Sequence, residues 1–346
     1  MTSYNFYGFL TVDLVTDHRG WRRYLDNEYL RIAQPGDAAP GAPTVRVELV
    51  GRLPERQPGD VVHETRFKGL FRYRTLVRGI DTERVTVYFA RHWLDRVYMN
   101  AIGVYLQAQI LEPIMYYKLL QQGVLLMHAA GVTKDGTATL LPAYGGTGKT
   151  TLSIALLDQG FRFLGDDLLL VDTADLRVHP YPRPLHIFTY NVRSLVGARI
   201  PLRYRAAVYA KNVLRFVLER VMRTEFLIST RIHADEIFAG DVFGEVAPIG
   251  GIAFLRKEGP AFAPVDVTDE NARVLAAGIA QSADLNDSLR ELMAHDGPFL
   301  AAFTELELDV IEELLRGTGR LTHVNSRALT DADRARFAEL TRGTAA

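Results

Sequence analysis

The residues from Ala143 to Thr150 are the part of the chain best suited to chemistry. They read Ala-Tyr-Gly-Gly-Thr-Gly-Lys-Thr, the spacing of a phosphate-binding loop with alanine in place of the first glycine. Four variable residues let the backbone curl so that consecutive N–H groups turn toward phosphate oxygens. Gly145, Gly146 and Gly148 permit positive φ and a close approach of the main chain to an anion. An apolar run precedes the loop and a helical pattern follows it. The loop therefore opens on a helix N-terminus, whose dipole favours negative charge. In that setting Lys149 reaches the β- and γ-phosphates and the Thr150 hydroxyl ligates Mg²⁺. Ala143, Tyr144, Thr147 and Thr151 complete the loop and the first helical turn. The expected ligands are ATP, or another nucleoside triphosphate, and Mg²⁺. A glycine-rich turn without a ligand is the bland alternative.

The next acidic residues sit in FLGDDLLLV, Phe163 to Val171, where Asp166 and Asp167 interrupt an apolar run. A buried carboxylate is costly unless it is paired, hydrogen-bonded or metal-bound. Neighbouring residues on a strand project in opposite directions. One carboxylate can then face Mg²⁺ while the other faces an incoming hydroxyl, the division that phosphoryl transfer needs. A Gly-Asp-Asp turn with solvated side chains is the alternative. His128 lies in the apolar run Val124–Val132, where a hydrogen-bonded core histidine is the more ordinary role. Arg183, in Pro182-Arg183-Pro184, is a candidate contact for a substrate or transition-state phosphate, because its fork suits that task.

The stretch LLMHAAGVTKDGTATLLPAYGGTGKTTLSIALLDQGFRFLGDDLLLV resembles the catalytic core of HPr kinase/phosphorylase and its relatives. That core has a strand with a histidine, a hairpin, the phosphate loop, a helix, and a strand carrying Asp-Asp. His128, Lys149, Thr150, Asp166 and Asp167 fall on the matching positions. The resemblance covers residues 124 to 190 and extends weakly to Ile249–Lys257. It implies an α/β fold, a P-loop kinase core of the type shared with ATP-dependent phosphoenolpyruvate carboxykinase; the N-terminal 100 residues show no relation to that family's N-terminal domain, and the β-rich domain expected there is read from the residues alone. The resemblance also implies that one aspartate takes the proton of the acceptor hydroxyl and that the loop hydroxyl and an acidic neighbour hold the metal. The histidine would lie near the transferred phosphate. Carried over, Asp166 is the base and Asp167 joins Thr150 at the metal, with the two roles exchangeable. The family's Glu-x-Arg-Gly-x-Gly signature is missing; HPYPRPLHIFTYN stands there instead. In the family that signature accompanies the reverse, phosphate-driven reaction. The resemblance thus implies a kinase with another acceptor: Ser or Thr of a protein or peptide, or a small hydroxyl-bearing metabolite. A nucleotide-binding regulatory or scaffold protein with little or no turnover is the alternative class. A carboxykinase would need a further metal site and substrate arginines that the sequence does not offer.

These residues need elements to hold them. A chain of 346 residues suggests two domains. Residues 1–100 read as β-rich, with alternating runs at Val45–Val50 and Arg84–Ala90 between Pro- and Gly-dense loops. Substrate recognition is the expectation for this domain. Residues 101–346 form the expected catalytic domain. Ala101–Gln122 has helical spacing, with Pro113 as a kink and Gly123 as a stop. Val124–Val132 and Thr137–Pro142 read as a hairpin around Lys134-Asp135-Gly136. A helix over Thr150–Gln159, a strand over Ile249–Lys257, and helices at Tyr204–Arg223, Asn286–Ala294 and Pro298–Arg316 follow.

Apolar residues make up 48% and the net charge is −1, as in an ordinary globular protein with no global pull on nucleic acid. The chain has no cysteine, which excludes disulfides, thiolate catalysis and cysteine-bound metals. No signal-peptide pattern or transmembrane run is read, so a cytoplasmic protein is expected. Charge is uneven, however. Arg193, Arg199, Arg203, Arg205, Lys211, Arg215, Arg220, Arg223 and Arg231 face only Glu219 and Glu225 across that segment. A solvated amphipathic cover helix is the preferred reading. A dock for an acidic protein or peptide, a phosphate-bearing substrate or an anionic membrane is the functional alternative. No nucleic-acid motif accompanies the run. A homo-oligomer is neither required nor excluded.

Overall fold

The computed structural model describes residues 1–35, 39–67, 71–93, 95–187, 192, 200–222, 230–238, 240–282 and 284–341. Arg193, Arg199, Arg223 and Glu225 of the basic segment, and residues 188–191 of the connection after Arg183, lie outside them. The protein is α/β with mixed sheets and a β-rich N-terminal region. Among the described residues no helix is long and apolar enough to cross a membrane.

The chain divides into two compact units. The first comprises Met1–Leu126, Asp172–Ala174 and Arg273–Glu313; the second comprises Met127–Val171, Asp175–Ala272 and Leu314–Ala346. The first unit thus takes in more than residues 1–100. The helical segment after residue 95 belongs to it for a physical reason: its polar groups are satisfied by the first helix of the chain, as described below.

The first unit is built on a mixed sheet of six strands: β1 (Thr2–Phe6), β2 (Leu10–Val15), β3 (Thr44–Val50), β4 (Val61–Phe67), β5 (Phe71–Arg78) and β6 (Arg84–Ala90). Their order is β1-β2-β3-β6-β5-β4, with β2, β3 and β6 parallel and the remaining pairs antiparallel. Helix α1 (Arg19–Tyr29) buries Trp21, Tyr24, Leu25 and Tyr29, a 3–4 spacing that makes one apolar stripe. Helix α2 (Asp95–Leu106) continues through a π-helical turn, Gln107–Leu111, into α3 (Glu112–Leu120). Pro113 is the local cause. It has no N–H to give and its ring crowds the carbonyl four residues back, so the ladder widens just before it. The turn presents Gln107 to α1: Tyr24 donates to Gln107 Oε1 at 2.7 Å, and Gln107 Nε2 donates to Glu112 Oε1 at 2.8 Å.

The chain passes from the first unit into the second at the last residue of β7 (Val124–Met127). His128 follows it at a break, and the hairpin β8 (Ala129–Lys134)/β9 (Thr137–Pro142) comes next. The hairpin turn is Asp135-Gly136, both at positive φ (52° and 73°), the primed turn that matches strand twist. Helix α4 (Lys149–Leu157) precedes β10 (Arg162–Gly165), β11 (Leu169–Asp172), β12 (Arg177–His179), β13 (Leu185–Ile187) and β14 (Thr230–Ile232). The long strand β15 (Ala247–Arg256) leads to β16 (Phe262–Asp266) and, after helices, to β17 (Arg320–Asn325). The sheet runs β10-β8-β9-β15. The first half of β15 then meets β12 and its second half meets β17. β9, β15 and β17 are parallel, so their C-terminal ends share one edge. One face of the sheet buries Val132, Leu141, Leu152, Leu156, Leu255 and Phe337. The predicted helix over Tyr204–Arg223 is Leu202–Met222; Val208 is buried in it, whereas Val213 is 64% exposed.

Asp95 ties the aromatic core of the first unit together. It accepts from Tyr73 at 3.1 Å, from Trp21 at 3.4 Å and from the His92 amide at 3.2 Å, and it is buried. Asp95→Ala would leave these donors without an acceptor. A loss of about 2–4 kcal/mol is expected in urea denaturation followed by tryptophan fluorescence. A loss below about 0.5 kcal/mol, the surface-substitution range, would contradict this account.

Candidate functional site

The segment Ala143–Thr150 lies where an α/β sheet ordinarily places ligands, beyond the C-terminal ends of its parallel strands. β9 ends at Pro142 and Ala143 still bridges Leu255 of β15. The chain then turns through Tyr144–Gly148 into α4. Gly146 and Gly148 have φ of 71° and 98°; Gly145 does not enter the left-handed region. Left-handed residues in such a turn are the conformation in which successive amides converge on an anion. The loop is braced twice. Thr147 donates its hydroxyl to the Tyr144 carbonyl at 2.8 Å, and Ser326, just past β17, donates to the Thr147 carbonyl at 2.9 Å. Tyr144 is 43% exposed and stands edge-on to Phe254 of β15.

The acidic pair comes from the gap between β10 and β11. Asp166 and Asp167 occupy a bend, not a strand. Asp166 accepts from the Thr150 hydroxyl at 2.7 Å, and its other oxygen, Oδ1, is sealed from solvent with no hydrogen-bond partner. Asp167 is 52% exposed; its oxygens lie 3.5 Å from His128 Nε2 and 3.8 Å from Arg183 Nη1. His128 Nε2 in turn lies 2.7 Å from Lys149 Nζ. Arg183 is largely buried. It is brought to the site because the Tyr181 amide donates to the Leu164 carbonyl at 2.7 Å, which lays the Pro-Tyr-Pro-Arg segment along β10.

The structure therefore brings together His128, Lys149, Thr150, Asp166, Asp167 and Arg183, all within the second unit. Thr151 is exposed on the first turn of α4. Ser326 was not singled out in the sequence, whereas Gly165 was read only as part of the Gly-Asp-Asp interruption. Ser326 follows a strand about 180 residues from the loop it braces, a contact no local pattern encodes. Gly165 is needed because a Cβ there would lie 2.8 Å from the Leu168 carbonyl and 3.0 Å from the Tyr181 carbonyl.

Asp166 Oδ1 is an orphaned buried acceptor beside a hydroxyl oxygen. Two hard oxygens of this kind suit Mg²⁺, which keeps several waters and shares itself with phosphates. Among the described residues no group of three or more His, Asp or Glu is arranged to hold a metal alone. Burial pushes the Asp166 carboxyl up to about 6, the nearby Asp167 adds to this, and the Thr150 hydrogen bond opposes it. No protein-family model matches the sequence, and no curated protein matches it at a significant level. Function is accordingly read from the chemistry of the site.

Two outcomes follow. Gly165→Ala should cost about 1–3 kcal/mol, since rigid carbonyls must give way to the methyl group; a denaturation midpoint equal to wild type would contradict the close approach. Asp166 binds its proton more tightly folded than unfolded, so stability falls as pH rises from about 4 to about 6 and stays lowered above. Without nucleotide or metal, Asp166→Asn should therefore melt higher than wild type at pH 8. The gain should be absent at pH 4. Each kcal/mol gained corresponds to about 2–4 °C. Equal melting temperatures at both pH values would refute the buried-acid account.

Proposed function

We propose that the second unit is an ATP- and Mg²⁺-dependent phosphotransferase that moves a γ-phosphoryl group to a hydroxyl. The acceptor is Ser or Thr of a protein or peptide, or a small metabolite. The observation that carries this reading is the 2.7 Å hydrogen bond from Thr150, first turn of the phosphate-loop helix, to Asp166. It joins the hydroxyl expected at the metal to the acidic pair expected at the reacting phosphate. The resemblance to the HPr kinase-like P-loop core supports the same assignment, as does the convergence of Lys149, His128, Asp167 and Arg183. Such a reaction belongs in the cytoplasm, where ATP and Mg²⁺ are supplied.

The geometry favours exchanging the two aspartates relative to the initial assignment. Asp166, bonded to Thr150 and carrying an orphaned oxygen, would hold Mg²⁺ with that hydroxyl. The metal, when bound, neutralises charge on the β- and γ-phosphates. Asp167, more exposed and flanked by His128 and Arg183, would take the proton of the acceptor hydroxyl. Lys149 leaves His128 for the phosphates and thereby frees Nε2 beside Asp167. Arg183, with its fixed fork, meets the phosphoryl oxygens from the acceptor side.

The test uses binding and transfer together. Mg²⁺-dependent binding of an ATP analogue is measured by calorimetry, and transfer from ATP to a panel of hydroxyl peptides and metabolites by mass spectrometry. Asp167→Asn should bind the analogue like wild type and lose transfer by about 10²–10⁴-fold. Asp166→Asn should lose the Mg²⁺ dependence of binding. Tight nucleotide binding with no transfer or ADP formation by the wild type would favour the regulatory alternative. Absence of Mg²⁺-dependent binding in the wild type would sink both.

A further inference from the structure

We propose that the first unit carries a separate groove for an extended acidic peptide, on the outer face of β4 and β5 beneath residues 52–56. The site lies wholly within residues 1–126 and does not depend on the phosphoryl-transfer reading.

A cavity of about 700 Å³ occupies this position. Its floor is apolar: Val62 of β4, Leu76 of β5, and Leu53 and Pro54 from the covering segment. Val62 and Leu76 are direct cross-strand partners, and Glu64 and Arg74 are the next pair on the same face. Three arginines, Arg52, Arg56 and Arg74, line the cavity with one acidic residue, Glu55. Arg74 lies 3.6 Å from Glu64, a loose contact on an exposed face. Among the described residues Arg52 and Arg56 make no ion pair.

The covering segment is held in place. Arg78 donates from Nε and Nη2 to the two oxygens of buried Asp60 at 3.0 and 2.8 Å, and Nη2 also reaches the Glu55 carbonyl at 2.9 Å. Asp60 closes the turn further by accepting from the Gln57 amide at 2.8 Å. The groove is therefore preformed, which lowers the entropy lost when a ligand binds.

An apolar floor under a cationic rim fits a ligand that alternates apolar and acidic groups. That alternation is the period of an extended chain. β4 is also the terminal strand of its sheet, and among the described residues no strand pairs with its outer edge. The unpaired edge amides of β4 exchange readily with solvent until a chain bound in the groove covers them. A small hydrophilic dianion would use the rim and leave the floor unmatched.

The probe is a fluorescein-labelled peptide of about eight alternating valine and glutamate residues, a typical strand length, added to the full chain and followed by anisotropy. Saturable binding is expected, weakened about 5-fold by each of Arg52→Ser, Arg56→Ser and Arg74→Ser. A control losing Arg162, Arg316 and Arg336 should bind like wild type. Hydrogen exchange of residues 61–67 in the wild type should slow when the peptide is added, a readout that needs no substitution. The proposal is overturned if glutamine in place of glutamate binds equally. It is also overturned if the control weakens binding as much as the groove variants, or if residues 61–67 exchange unchanged. Displacement by an equal concentration of glutarate would show a small-anion site and equally end the peptide assignment.

Discussion

The site in the second unit depends on one hydrogen bond, from a helix N-terminal hydroxyl to a buried carboxylate. Thr150 and Asp166 come from segments that are not sheet neighbours. β9 delivers the loop and β10 delivers the acid, with β8 between them. Strands lie about 4.8 Å apart, so the two ends are roughly 10 Å apart at the sheet. The turn Tyr144–Gly148 and the first turn of α4, a helix anchored by buried Leu152 and Leu156, set Thr150 against Asp166. The tight Asp135-Gly136 hairpin matters for the same reason. A longer loop, or a slip of one residue between β8 and β9, would turn the strands over and move the loop away from the acid.

This arrangement is retained against its own cost. Asp166 carries a sealed oxygen without a partner and a carboxyl group whose ionisation burial opposes, both unfavourable in isolation. The adjacent Gly165 leaves no room for a side chain. The surrounding sheet is meanwhile well satisfied, with Val132, Leu141 and Leu255 fully buried. Local disadvantage set in a well-packed frame is the pattern expected where a ligand, not the fold alone, completes the hydrogen bonding.

Much of this frame was legible in the sequence, and the gaps have physical causes. The hairpin turn announced itself because Asp-Gly is nearly specific for positive φ at two successive positions. The strand at 247–256 and the helix after Lys149 followed from apolar period and length. The adjacent aspartates, read as interrupting an apolar strand-like run, lie in a bend after β10, so the alternation of a pleat does not apply to them. His128 was expected inside a strand and stands at a break between two. The brace from Ser326 and the docking of Tyr181 on Leu164 are long-range hydrogen bonds that no window of sequence contains. The composition of the two units was hidden for a related reason. Whether the helix after residue 95 joins the first unit depends on Gln107 finding Tyr24, a pairing set by the π-helical turn before Pro113.

Charge shows the same limit from the opposite side. The basic run between Arg193 and Arg231 is conspicuous because its residues fall in one segment of the chain. Among the described residues only Leu202–Met222 of it is helix, and nearness in sequence along a helix is not nearness on one face. Arg52, Arg56 and Arg74 are unremarkable in sequence, one of them in a different strand from the others' loop, with acidic residues between them. They converge because Arg78 clamps the 55–60 turn to β5 and because the antiparallel register puts Leu76 opposite Val62, with Arg74 one pair further along the same face. Electrostatic potential is a property of that convergence and not of composition. In a chain whose net charge is −1, a local cationic groove can exist only where the fold, through such registers and clamps, sorts its charges.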